Sequence, residues 1–319
     1  KTTTNTIYIP TSKDMTSQTL WEHLSAHEKK VVVINVPVTY PPRTVNGTLI
    51  AGFLCPTVEE LTNNTAILPV LKEIGYKIDA DATLVMQGKQ KLLDEIKDVF
   101  EKRKKTLFTL MKQEPWDFFM CHIMETDRLN HFFWGEMEEK NEEFYQQYMD
   151  FMQQIDSLVK EVHEQLDADT ELVLLSDHGF CSIKSEYEMN KALQDAGFLT
   201  LKEDHEQHQG LLKIDMEKTK AYSLIPGRFY IVDKANSGKI KAELKLFLEN
   251  LTDPEDGAKI IQTIKFREEI YSGRSIENAP DLVAIPVDGY DLKAHFGVTQ
   301  LKVKGHMTGM HTFNNCFFL

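Results

Sequence analysis

The sequence predicts an α/β protein on a largely parallel sheet, carrying a smaller cap or excursion in its C-terminal half. Three observations carry that prediction. Short apolar runs alternate with helical segments of roughly 12–25 residues, the pattern of strand and crossover helix. The strongest run, Val31-Val32-Val33-Ile34-Asn35-Val36, is apolar and β-branched at nearly every position, as a strand buried on both faces requires. After about Gly197 the alternation becomes irregular. The 319 residues are 42% hydrophobic and 27% charged, enough for a sizeable core, which excludes a disordered, collagen-like or disulfide-stapled chain.

Taken in order, residues 16–29 read as a helix with Leu20, Trp21 and Leu24 on one side, followed by the strand at 31–36. Pro37 and Pro41-Pro42 force an irregular loop. Residues 59–74 read as helix, 77–85 as strand, and 89–113 as a long charged helix with recurrent Leu, Ile and Phe. A second buried strand is expected at 116–124, a helix at 141–166, and a third strong strand at 170–175, where Leu172-Val173-Leu174-Leu175 is continuous. Beyond Gly197, strands are expected at 229–232 and 282–285 and a helix at 238–249. Residues 1–196 and 281–319 form the expected main domain, with 197–280 as the cap. There is no internal repeat.

The formal net charge of −13 makes non-specific binding to nucleic acid or to an anionic membrane a poor expectation. No stretch approaches the about 18 consecutive apolar residues of a membrane span, and Lys1-Thr2-Thr3-Thr4-Asn5 lacks a basic-plus-apolar signal pattern. Cys55, Cys121, Cys181 and Cys316 are scattered without CxxC spacing. The expectation is reduced thiols in the cytoplasm, with two disulfides as the alternative. The terminal Cys316-Phe317-Phe318-Leu319 reads as a strand cut at its end.

Catalytic groups of open α/β sheets gather at the carboxyl ends of strands, and two such places stand out. Asp127-Arg128-Leu129-Asn130-His131 follows the strand at 116–124. On a helix, Asp127 and His131 share one face and can approach one cation, or they are simply a first-turn carboxylate and a surface or core histidine. Arg128, one residue on, is turned about 100° away and reads as structural. Ser176-Asp177-His178-Gly179 follows the run at 172–175. Extended backbone sends Asp177 and His178 apart, so they address one metal from two sides or straddle two. The alternative is an N-cap aspartate beside a stray histidine. His311 and His306, among Gly305 and Gly309, are a third candidate, between which spacing does not choose. His163, His205 and His208 read as solvated, and Phe132, Phe133 and Trp134 as core.

These residues carry a resemblance to the type I phosphodiesterase/nucleotide pyrophosphatase family of the alkaline phosphatase superfamily. The strings are Thr19-Leu20-Trp21, Val33 to Pro42, Asn46-Gly47, Gly52-Phe53-Leu54, Thr126 to Trp134, Ser176-Asp177-His178-Gly179-Phe180, Pro280-Asp281-Leu282 and Gly309-Met310-His311. They run in the family's order over nearly the whole chain. The resemblance implies an alkaline phosphatase-like three-layer sandwich with a largely parallel central sheet. It implies two divalent ions, expected as Zn2+, with Asp127, His131 and His311 on one and Asp177 and His178 on the other. It further implies hydrolysis of phosphodiester or pyrophosphate bonds of a small molecule such as a nucleotide, through a phosphorylated Thr or Ser.

The chain departs from that pattern in one respect. The family's further metal-binding Asp and its nucleophile normally lie ahead of the Thr19-Leu20-Trp21 region, where this chain has no apolar strand ending in Asp-Gly; Asp14, Thr16 and Ser17 stand in the wrong context. The expectation is an upstream segment in the intact protein that supplies the nucleophile. The alternative is a non-catalytic member in which the remaining metal residues stabilise a scaffold.

Overall fold

The computed structural model describes residues 9–319, so the reading of residues 1–5 lies outside the described residues. The chain divides into two compact units, Ile9–Leu172 and Val173–Leu319.

The first unit runs α1 (Leu20–Ala26), β1 (Val31–Val36), β2 (Gly47–Ala51), α2 (Leu68–Ile74), α3 (Lys89–Gln113), β3 (Phe118–Cys121), α4 (Glu125–Glu138) and α5 (Tyr145–Gln165). Helix α1 starts where a capping box allows it: Thr19 Oγ1 accepts from Glu22 N, and Glu22 reaches back to Thr19 N. Strands β2, β1 and β3 form a parallel sheet in that order, with Val31 opposite both Gly47 and Phe118. The side chains of Val31 to Ile34 are fully buried, as the continuous β-branched run predicts. Helix α3 buries Leu92, Leu93, Ile96, Val99, Phe100, Leu107 and Leu110, a stripe at helical spacing, with Arg103 in the middle of it.

The second unit runs β4 (Phe180–Ser182), β5 (Ser185–Glu188), α6 (Met189–Asp195), β6 (Ala221–Ile225), β7 (Arg228–Ile231), α7 (Ser237–Glu249), β8 (Ile261–Phe266), α8 (Arg267–Ile270), β9 (Leu282–Pro286), β10 (Tyr290–Lys293), β11 (Lys302–Val303) and β12 (Gly309–His311). It holds an antiparallel sheet ordered β6-β7-β9-β8, a mixed sheet ordered β10-β5-β11, and the antiparallel pair β12-β4. Strand β9, from the segment read as a return to the main domain, thus pairs with strands from residues 197–280. Asp281 ties this corner together: it accepts from Ile231 N, Lys234 Nζ and Arg267, and is itself buried.

The architecture is therefore alternating α/β with one parallel sheet and several mixed or antiparallel ones, where the sequence predicts one largely parallel sheet. Two strand predictions require correction. Residues 77–85 form a loop followed by a 3-10 turn at Ala82–Gln87. The carbonyl of Ile78 accepts from Arg103 NH2 (2.7 Å) rather than from a neighbouring strand, and the Asp81 carboxylate caps the turn through Thr83 N (3.0 Å). Among the described residues, 170–175 form no ladder beyond a single bridge from Leu175 to Phe318. Leu174 exchanges backbone hydrogen bonds with Leu319, and Ser176 N donates to Phe317 O. Val173 and Leu175 remain half exposed, so apolar continuity here does not signal burial between two strands. The predicted helix at 59–74 condenses to α2 behind two short 3-10 turns. No helix among the described residues is long and apolar enough to cross a membrane. None of the four cysteines is in a disulfide.

Candidate functional site

Helix α4 begins one short turn after β3, at the carboxyl end of the parallel sheet, where its first-turn acids Glu125 and Asp127 complement the helix dipole. Its apolar face buries Leu129, Phe132 and Phe133, which keeps the two phenylalanines in the core and away from any base-stacking role. Trp134 is half-buried, its indole N–H donating to Glu138 (2.8 Å). On the opposite turn-to-turn row, Asp127 and His131 face each other with Nε2 3.6 Å from Oδ1, each 17% exposed. One carboxylate oxygen and one imidazole nitrogen converging at a partly exposed position form a donor pair that could coordinate a divalent cation.

The surroundings of this pair are heavily charged. The Arg128 guanidinium lies on Asp79, with Nε 3.1 and 3.2 Å from its two carboxylate oxygens and NH2 also on Oδ2, while NH1 is 3.5 Å from Asp127 Oδ2. The ring of Phe53 lies against the same guanidinium, 5.1 Å from its carbon. Beneath the first helical turn, Arg103 and Glu125 form a fully buried ion pair (Nε to Oε1 3.2 Å, NH2 to Oε1 3.1 Å). Arg103 also donates to the Tyr76 hydroxyl and to Ile78 O. Burial pushes the Glu125 carboxyl up, opposed by the Arg103 charge, and lifts the Cys121 thiol to about 12. Asn35, near the end of β1, and Val38 and Leu54, just past β1 and β2, all adopt positive φ, of 66°, 61° and 77°. Such strain outside glycine clusters where a structure over-determines a loop, commonly beside functional groups. The sequence signalled only an irregular, proline-rich loop there.

In the second unit, β12 pairs antiparallel with β4, setting His311 opposite Phe180. The His311 ring stacks on His178 with centroids 3.6 Å apart, and Phe180 meets both rings edge-on. His178 Nδ1 lies 3.2 Å from Gly179 O, and its Nε2 is 3.5 Å from Asp177 Oδ1. Asp177 is 79% exposed. His306 is exposed in the loop before β12. The structure thus brings Asp127 to His131 in one unit, and Asp177 and His311 to His178 in the other. His205 engages Lys202 O and His208 engages Asp204, both locally, while His163 sits in the last turn of α5. Asp14 accepts from Thr11 N in a local capping turn.

Gly179 is required where it stands. A Cβ there would lie 2.2 Å from the Asn315 carbonyl oxygen, a backbone contact that cannot rotate away. Gly179 O also accepts from Thr312 N (3.1 Å), next to His311. Gly179→Ala is expected to destabilise the protein by about 1–3 kcal/mol through overpacking, visible as a lowered Tm. An unchanged Tm would show that the 179–315 approach relaxes freely.

No curated protein sequence matches the chain. In three dimensions it is similar to phosphonoacetate hydrolase from Sinorhizobium meliloti in complex with phosphonoformate, with a TM-score of 0.50 and 13% identity over 98% of this chain and 70% of that one. The same enzyme with phosphonoacetate gives 0.49 and 12% over 96% and 67%. Human ectonucleotide pyrophosphatase/phosphodiesterase 5 gives 0.37 and 12%, over 70% of this chain and 51% of that one. The chain therefore spans about half the length of the human protein. At such identities the likeness is one of fold. The sequence itself matches the family description along residues 2–314, and the chain belongs to the type I phosphodiesterase/nucleotide pyrophosphatase family.

Proposed function

We propose that the protein is a metal-dependent hydrolase of phosphodiester or pyrophosphate bonds in small molecules, nucleotides foremost, with the three-layer arrangement of the alkaline phosphatase superfamily. Asp127, His131 and His311 would hold one divalent ion, and Asp177 and His178 a second, Zn2+ being the expected metal. The observation that carries this reading is the Asp127–His131 pair, facing across one turn of the helix that follows a parallel strand. Its nitrogen and oxygen donors suit zinc, and the stacked pair His178–His311 offers further imidazole nitrogens. Bound divalent ions supply Lewis acidity and neutralise the non-bridging oxygens of a transferring phosphoryl group.

The chain's own residues prepare that chemistry by position. Helix α4 presents Asp127 and His131 in fixed relation, and the buried face of Leu129, Phe132 and Phe133 prevents the helix from rolling. Arg128 is occupied by Asp79 and does not act as a phosphate clamp in this reading. Residues 197–280 would be the smaller cap or excursion.

The test uses the longest native gene product. Metal content is measured by emission spectroscopy, and turnover is followed with a nitrophenyl phosphodiester, a dinucleoside pyrophosphate and phosphonoacetate in parallel. Bound divalent metal and chelator-sensitive cleavage of a diester or pyrophosphate are expected. Metal binding without turnover favours the scaffold alternative, and neither metal nor turnover overturns the reading entirely.

A further inference from the structure

His23 lies in the last turn of α1, and His27, four residues on, caps that helix. Side chains at this spacing stand one above the other on a single helix face, and both rings are exposed. The His27 Nδ1 is 2.9 Å from the His23 carbonyl oxygen. A carbonyl only accepts, so Nδ1 carries the hydrogen and the lone pair of the neutral ring is on Nε2. Tying one imidazole nitrogen to a backbone carbonyl fixes both tautomer and ring orientation, which is how metal-ligating histidines are ordinarily supported.

The spacing of the two rings suits chelation. Their centres are 4.5 Å apart and their planes are tilted by 50°. With an imidazole nitrogen about 2.0–2.1 Å from a zinc-like ion, each ring centre lies about 3.2 Å from it, so two rings meeting at about 90–110° have centres about 4.5–5.2 Å apart. The local field also favours a cation. The carbonyls at a helix C-terminus carry partial negative charge, and Glu28, exposed next to His27, adds a carboxylate. The lysines that follow are drawn elsewhere, Lys29 Nζ toward Asp117 (3.9 Å) and Lys30 Nζ onto Asn46 Oδ1 (2.8 Å).

We propose that His23 and His27 form a bidentate surface site for a borderline divalent ion, Ni2+, Cu2+ or Zn2+, with water in the remaining positions. Imidazole nitrogen selects these ions over Mg2+ and Ca2+, which prefer oxygen. With two protein ligands, against three or four in a catalytic or structural zinc site, the pair fills only when the ion is abundant and empties on dialysis. It uses none of the residues proposed above as ligands, so its failure leaves that reading untouched.

The experiment titrates the full chain with Ni2+ alone by calorimetry, for the wild type, His23→Gln, His27→Gln and the double variant. Either single substitution is expected to weaken one binding event by about tenfold or more, because the second imidazole acts as an intramolecular ligand, and the double variant should lose little beyond that. Two independent histidines predict instead that each single variant loses one weak equivalent while the other keeps its affinity; that result overturns the proposal, as does a titration that neither substitution changes. Mg2+ should give no event that depends on either histidine, and one that does overturns the assignment to a borderline ion. Circular dichroism should show unchanged helix content, since both positions are exposed. A wild-type crystal soaked in Ni2+ gives a readout that needs no variant. An ion bonded to a nitrogen of each ring, Nε2 in the case of His27, supports the proposal. An ion on one ring alone, or none at the pair, overturns it.

Discussion

Replacing His311 with alanine is expected to strip one divalent ion from the protein and lower turnover by several orders of magnitude, whereas His306→Ala should change little. The β4–β12 register sets His311 opposite Phe180 and stacks its ring on His178, while His306 lies exposed in the preceding loop. A zinc-type ion that loses one imidazole must recruit water or a misplaced group, so a closed ligand set weakens sharply. Emission spectroscopy after dialysis should find about one retained ion in place of two under the proposed ligand division. Excess metal should partly restore activity, because mass action refills a weakened site but not a lost catalytic group. Circular dichroism must show unchanged helix content in both variants. Loss of both ions would mean that the His311 ring also holds His178 in place and that the division of ligands between two independent sites is wrong. A damaging His306→Ala beside a harmless His311→Ala would move the late ligand to position 306.

The elements that the sequence displays most clearly are those built from local periodicity. The β-branched run of β1, the stripe of α3 and the four-residue spacing of Asp127 and His131 on α4 depend only on neighbours along the chain, and all three form as read. The His178–His311 stack depends on pairing two three-residue strands far apart in sequence, which no local pattern encodes. The misread strand at 77–85 has the same origin. Its apolar alternation is real, but Arg103 and Arg128 take the Ile78 carbonyl and the Asp79 carboxylate and turn the segment into a clamp. One signal for that clamp was present. Arg103 falls on the buried stripe of α3 between Phe100 and Leu107, and an arginine at a core position demands a buried anion nearby. Residues 170–175 show the converse limit, since Val173 and Leu175 are apolar yet half exposed.

That buried anion is Glu125, and breaking the pair is expected to be the most damaging single change to stability in the first unit. Arg103 and Glu125 are 0% and 1% exposed, and one oxygen, Glu125 Oε1, accepts both guanidinium bonds. Glu125 Oε2 is buried without a hydrogen-bond partner, so the ion pair is only partly compensated for its loss of water. Glu125→Leu leaves an uncompensated buried guanidinium, and Arg103→Met leaves the corresponding carboxylate, each costing about 3–5 kcal/mol. The carboxylate has an escape that the guanidinium lacks, because a carboxyl already pushed up by burial can take a proton, so Arg103→Met should be the milder of the two. The double variant Arg103→Met/Glu125→Leu should cost far less than the sum, since neither charge is left behind and the methionine fills the volume against Phe100 and Leu107. Urea unfolding of all four proteins measures the coupling directly. Additive losses would show that the two groups do not depend on one another and that the first turn of α4 is held by its apolar face alone. Strong coupling would identify the pair as the joint between α3 and the helix that bears Asp127 and His131, linking fold stability to the geometry of the proposed metal ligands.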